Sequence, residues 1–171
     1  MEFLKAVTDR IPDHAKDVRL NIGSVLSRSS LEPEAALGVA LAAAYAAKCK
    51  PIVDAIRSSG GMSEAETTGA LSAAALMGMN NVYYRFRHII GKDSYSEKPA
   101  RLRMMRLKQA ATNQPDLELF CLAVSAVNNC EACTRSHEAV VLEGGLTEDH
   151  VHDAVRIAAT INAAAVALSM G

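Results

Sequence analysis

Two stretches decide the fold: LGVALAAAYAAKCKPIVDAIRSSGG, Leu37 to Gly61, and LELFCLAVSAVNNCEACTRSHEAVVLEGG, Leu117 to Gly145. Each runs from an apolar helical pattern through a polar break to a cysteine, then through a second helical pattern to paired glycines. Ser63 and Thr147 follow as hydroxyl caps. Cys49 falls opposite Cys130 and Gly60 opposite Gly144, with three residues gained or lost between the two copies. Matching halves need each other's apolar faces, so the repeat predicts one two-lobed, duplicated all-α domain over residues 1–171. Its approximate first half is 1–90, its linker 91–99 and its second half 100–171.

Composition agrees with helix. The 171 residues suffice for one substantial core. Alanine is abundant, aromatic residues make up 4% and tryptophan is absent, which suits helices that approach closely. Eighteen basic against 19 acidic side chains leave a formal charge of -1, so no global field draws nucleic acid or an acidic membrane. The amino-terminal MEFLKAVTDRIPDHAKD interrupts its apolar positions with charge and lacks a signal-peptide run, which reads as cytoplasmic. The uncharged run Ala35–Ala47 stops at Lys48, short of the roughly 20 residues a membrane span needs.

Local signals divide the chain further. Met1–Arg10 and His14–Leu26 read as short helices separated by Pro12. Glu34 to about Arg57 reads as helix with a break near Pro51. Ser63, in capping-box spacing with Glu66, starts a helix to about Phe86. Arg101–Ala111 is amphipathic and reads as a helix with a solvated basic face. Asn113 caps a helix over Asp116–Val127, Asn128 and Asn129 break it, and Glu131–Glu143 and Thr147 to about Leu168 complete the order.

The chemistry concentrates in NNCEACTRSHE, Asn128 to Glu138. Cys130 at a cap and Cys133 in the first turn lie near free backbone N–H groups and the positive helix end, which favour thiolate. His137 follows one turn after Cys133 and can share its face. In the first copy these positions are Ile52 and Ile56, so the polar set belongs to the second half alone. Glu118 opens a run, Leu119–Val127, that only Ser125 interrupts. It reads either as a first-turn carboxylate at a helix start or as a proton acceptor facing His137 and Cys133. The residues alone leave three chemistries open: a redox dithiol, a metal site from Cys130, Cys133 and His137 with Glu118, and buried packing. A tetrahedral site would be strained by three ligands bunched at one helical start. His14 and His88 read as surface or packing residues, His150 and His152 as caps or solvent contacts, and Cys49 and Cys121 as apolar fillers.

On NNCEACTRSHE, the following GGL, Glu118 twelve residues before Cys130 and the duplicated plan, the chain closely resembles the D-type alkyl hydroperoxide reductase family (AhpD), in the carboxymuconolactone decarboxylase-like group. The resemblance covers almost the whole chain. It implies an antioxidant thiol peroxidase in which Cys133 attacks the peroxide through a sulfenic acid, Cys130 is its disulfide partner, and Glu118 with His137 relay protons. It further implies a homotrimer without bound cofactor that regenerates a partner peroxiredoxin, the C-type alkyl hydroperoxide reductase. Electrons would come from the dihydrolipoyl group of a lipoyl-bearing acyltransferase, itself served by dihydrolipoamide dehydrogenase. The familiar pattern has histidine before the second cysteine; here that residue is Ala132. The alternatives are an acid–base decarboxylase, which gains nothing obvious from two thiols, and a helical metal-binding protein.

Overall fold

The computed structural model describes residues 2–170, and its regular structure there is entirely helical. After a 3-10 turn at Glu2–Leu4 come α1 (Lys5–Thr8), a second 3-10 turn at Asp13–Ala15, α2 (Lys16–Ser27), α3 (Pro33–Ala46), α4 (Lys50–Ser58) and α5 (Glu64–Ile90). The short helices α6 (Asp93–Ser96) and α7 (Met105–Lys108) lead to α8 (Gln114–Val127), α9 (Glu131–Glu143) and α10 (Glu148–Leu168). Met1, where the first sequence-predicted helix begins, lies outside the described residues.

The duplication is visible in the backbone. Helices α3 and α8 are both 14 residues long. Each is followed by a left-handed residue, Lys48 at φ 56° and Asn129 at φ 54°. Cys49 and Cys130 then take near-identical N-cap conformations, with φ, ψ of -95°, 83° and -96°, 91°. The break predicted near Pro51 therefore falls just before it, and Pro51 sits in the first turn of α4, where a missing N–H costs nothing. Helix α9 has 13 residues against nine in α4, one extra turn. The left-handed glycines that end this part are Gly60 at φ 69° and Gly145 at φ 93°, so Gly60 matches Gly145 rather than Gly144.

Helices α3 and α8 form the centre. From Val39 to Ala44 and from Leu117 to Ser125 every residue is buried. Helix α5 packs across both, α10 covers them with α2 on its outer side, and α9 folds back on α8. Gly38 is required by this closeness: a Cβ there would lie 2.6 Å from Cε1 of the Phe120 ring. Helix α10 is long and apolar enough by length and composition to cross a bilayer. Here its Ala154, Ile157, Ala158, Ile161 and Ala164 face closes the core, and Asp153 accepts from Ser30 N at 2.7 Å and from Arg156 at 2.7 Å.

The caps follow the sequence. Ser63 Oγ accepts from Glu66 N at 3.2 Å and Asn113 Oδ1 from Asp116 N at 2.9 Å, while Thr147 N donates to His150 Nδ1 at 2.9 Å. Glu66 does not close a reciprocal box, because its carboxylate turns inward to accept from Thr112 Oγ1. The helix expected over Arg101–Ala111 is reduced to the single turn of α7, preceded by a left-handed Arg101 at φ 53°. So short a helix is marginal unless packing supports it, and this segment touches the body chiefly through α5.

Two outcomes test this packing. Gly38→Ala is expected to lose about 1–3 kcal/mol by overpacking against Phe120. Gly23→Ala, where a Cβ meets nothing within 4 Å, is expected to gain ~0.5–1 kcal/mol from helix propensity, both read by urea unfolding. Burial pushes the Glu66 carboxyl above its ordinary 4.5, against the Thr112 hydrogen bond and with the help of Asp116 and Glu34. A raised folded pKa makes the ionised form a cost at neutral pH. Glu66→Gln is therefore expected to exceed wild-type stability at pH 7, and the margin to shrink as pH falls through the Glu66 titration.

Candidate active site

Three helices converge on the second cysteine-bearing turn. Cys130 is the N-cap of α9 and Cys133 lies in its first turn, their Cα atoms 5.3 Å apart and their sulfurs joined as a disulfide. Cys130 is 0% exposed and Cys133 6%. A cavity of about 240 Å³ opens beside them, reaching Cys133, Ala132, Ser136 and His137 of α9. Asn80 and Tyr84 of α5 and Met104 and Leu107 of the α7 segment close its other sides. Cys130 is not part of this lining.

Glu118 comes from the first half of α8 and is only 7% exposed. Its Oε2 lies 2.6 Å from His137 Nδ1, and its Oε1 accepts from Gln114 Nε2 at 2.7 Å. The Oε2–Nδ1 separation is hydrogen-bonding distance between the carboxyl and the ring nitrogen. The other ring nitrogen, Nε2, lies 3.2 Å from Met77 Sδ on α5. Gln114 Nε2 also donates to Leu107 O at 3.1 Å, which fastens the α7 segment over the site. Of the residues singled out from sequence, Glu118 and His137 are in direct contact, and His137 shares the cavity with Cys133. Cys130 sits beneath them as the disulfide partner.

The turn that presents Cys130 is held from α5. Asn81 Nδ2 donates to Ser125 Oγ at 2.9 Å, and Asn81 Oδ1 accepts from Asn128 Nδ2 at 2.9 Å. One turn later Arg85 donates to the Asn128 carbonyl at 2.8 Å. Asn129 then takes the left-handed conformation that asparagine tolerates better than most residues. Glu131, between the two cysteines in sequence, accepts from Arg135 and lies 3.4 Å from His88. The Arg135 hydrogen bond and charge, then His88, hold its carboxyl below the ordinary range.

The remaining thiols differ from this pair. Cys49 and Cys121 are free and buried, and burial, with Glu118 nearby, pushes the Cys121 thiol far above its ordinary value. No group of three or more His, Cys, Asp or Glu among the described residues is arranged to hold a metal. Both nitrogens of His137 face Glu118 and Met77 instead of completing a ligand set with the cysteines. Sequence reasoning missed Gln114, Met77, Asn80, Tyr84 and Asn81. Gln114 was within reach, since it precedes Glu118 by one helical turn; the others come from a helix distant in sequence.

The Carboxymuconolactone decarboxylase family profile matches residues 95–170. The chain is 54% identical over 172 residues to the alkyl hydroperoxide reductase AhpD of Anaeromyxobacter dehalogenans strain 2CP-C, covering 99% of this chain and 92% of that protein. It is 56% identical over 174 residues to the protein of the same name from Anaeromyxobacter sp. strain Fw109-5, covering 100% and 94%. With the one from Rhodospirillum centenum strain ATCC 51521 / SW it shares 46% over 167 residues, covering 96% and 90%.

The Asn81 contacts carry a measurable consequence. Asn81→Ala leaves the Ser125 hydroxyl, 0% exposed, and the Asn128 amide without their partner. Each such orphaned group costs about 1–3 kcal/mol, so urea unfolding should show a loss of at least ~1 kcal/mol.

Proposed function

The chain belongs to the alkyl hydroperoxide reductase AhpD family, within the carboxymuconolactone decarboxylase group, and from that membership we propose that it reduces alkyl hydroperoxides through a Cys130/Cys133 dithiol–disulfide cycle. The observation that carries this reading is the division of labour between the sulfurs: Cys133 opens on the cavity beside His137, and Cys130 lies sealed behind it in disulfide reach. Cys133 is the attacking thiol. The His137–Glu118 pair accepts its proton, and the start of α9 favours the anion.

The thiolate sulfur attacks the terminal oxygen of ROOH. A sulfur–oxygen bond forms, the oxygen–oxygen bond breaks, and RO⁻ leaves with the electron pair and takes a proton from the pair as ROH. Sulfur is oxidised by two electrons to the sulfenic acid. The Cys130 thiol then attacks Cys133 Sγ, the disulfide forms and water leaves. A dithiol donor restores both thiols through a mixed disulfide.

In the cellular setting we assign the donor role to a dihydrolipoyl group on an acyltransferase, recharged by dihydrolipoamide dehydrogenase, and the acceptor role to a partner peroxiredoxin. This chemistry asks for no cofactor bound to the chain itself. Three copies assemble as a homotrimer; Val82, Phe86 and Ile89, exposed at helical spacing on α5, supply apolar surface for such a contact. The protein works in the cytoplasm, where thiol donors keep such a disulfide in turnover.

Mass spectrometry after one equivalent of cumene hydroperoxide should show loss of two hydrogens across Cys130 and Cys133, reversed by dihydrolipoamide. Cys133→Ser should abolish peroxide consumption, whereas Cys130→Ser should consume one equivalent and stop as a sulfenic acid trapped at Cys133. Trapping at Cys130 in the Cys133→Ser protein would reverse the roles. Glu118→Gln is expected to slow thiol oxidation by ~10²-fold and alter its pH profile; an unchanged profile removes Glu118 from the relay.

A further inference from the structure

We propose that Asn80 is the polar anchor that receives the hydroperoxide group of the substrate above Cys133, an inference that rests on the thiol-peroxidase reading. Asn80 is 4% exposed, yet its Oδ1 has no hydrogen-bond partner. A native fold rarely leaves a buried amide unsatisfied without a reason. Its neighbour Asn81, on the same helix, bonds Ser125 and Asn128 with its two ends. Asn81 thus holds the scaffold, and Asn80 is spare.

The position of Asn80 says what it is spare for. It lines the cavity that also exposes Cys133 and His137, with Tyr84 one turn further along α5. Met104 and Leu107 of the α7 segment and the small Ala132 of α9 add apolar lining. A cavity of about 240 Å³ with apolar lining and one unpaired carboxamide suits a small alkyl hydroperoxide, its carbon chain along Leu107 and Met104 and its oxygens toward Asn80 and Cys133. ROOH brings one O–H donor and, as the oxygen–oxygen bond breaks, an oxygen gathering negative charge. Oδ1 is sealed from solvent as it stands, and a half-turn about χ2 exchanges the two ends, so that the carboxamide can accept from the first through Oδ1 or donate to the second through Nδ2. Asn80 transfers no proton and gains no electrons. The proton that completes ROH comes from the His137–Glu118 pair, while the Asn80 N–H stabilises the departing alkoxide as an oxyanion-hole donor does.

The test separates the two half-reactions. Pre-reduced protein is mixed with cumene hydroperoxide, quenched with an alkylating agent and assayed for thiol loss. Separately, the disulfide form is mixed with dihydrolipoamide and assayed for thiol gain. Asn80→Leu, close in volume, is expected to slow oxidation by ~10- to 100-fold, to leave reduction within about twofold, and to melt no lower than wild type because an unsatisfied amide has gone. Asn80→Asp, which replaces the donor by an acceptor and adds like charge beside the thiolate, provides a second variant with the same expected split. Oxidation at the wild-type rate in either folded variant overturns the proposal, and so does equal slowing of both half-reactions, which marks a structural role. Wild-type protein that fails to oxidise Cys130 and Cys133 with peroxide overturns the underlying peroxidase reading as well, a result read without any Asn80 variant.

Discussion

The enclosure of α3 and α8 is the constraint on which the rest of the molecule depends. A helix buried on every side has little room for charge and must be narrow enough for its neighbours to reach it. Hence half of α3 is alanine, and its Gly38 leaves the space that the Phe120 ring of α8 occupies. Burial of this pair explains why α5 and α10 are the longest helices: each lies across both central rods, and each is capped at its start by a hydroxyl residue, Ser63 or Thr147. It also places a helix start, with its free backbone donors, beside the core just after each central helix ends.

Both central helices end in the same way, and the two ends have different fates. After α3 and α8, a left-handed residue lets the next N–H reach back into the helix, Cys49 to Ala44 O and Cys130 to Ser125 O. The following helix then starts with free N–H groups. In the first half Ile52 and Ile56 fill the face that this creates, and α4 is apolar packing. In the second half Cys133 and His137 stand at those positions, and Glu118 is carried one helix earlier at a level where His137 meets it. One scaffold thus supplies an apolar copy and a copy that carries the disulfide and the buried His137–Glu118 pair.

Those side chains were legible because their relations are local. Helix spacing places His137 one turn from Cys133, a cap preference places Cys130 at a helix start, and the apolar run after Glu118 announces an enclosed acid. Asn113, Ser63 and Thr147 marked helix starts for the same reason. Relations made between distant segments left no such trace. Met77, Asn80, Asn81 and Arg85 form one face of α5, and their pattern alone reads as ordinary helix with two asparagines. Only docking against α8 and α9 shows that this face holds the cysteine turn and walls the cavity. Arg101–Ala111 erred in the opposite direction: its period is helical, but its small contact with the body leaves just one turn formed. Periodicity states what a segment can bury, and the fold decides whether anything is there to bury it against.

The two buried glutamates show why the site lies where it does. Glu66 has one oxygen bonded to Thr112 and the other, Oε2, without a partner. Glu118 has both oxygens engaged, by Gln114 and by His137. A buried carboxylate is tolerable when its lone pairs are met, so Glu118 is the better satisfied of the two. The nature of the partner matters as much as the number. The Thr112 hydroxyl does not give up its proton near neutral pH, so the Glu66 contact is only structural. The Glu118 contact instead joins two ionisable side chains, the carboxyl and the His137 imidazole. That contact lies beside the only cavity-facing sulfur of the cysteine pair, so an acid at the mouth of an apolar helix is held where the proposed thiol cycle needs a proton acceptor.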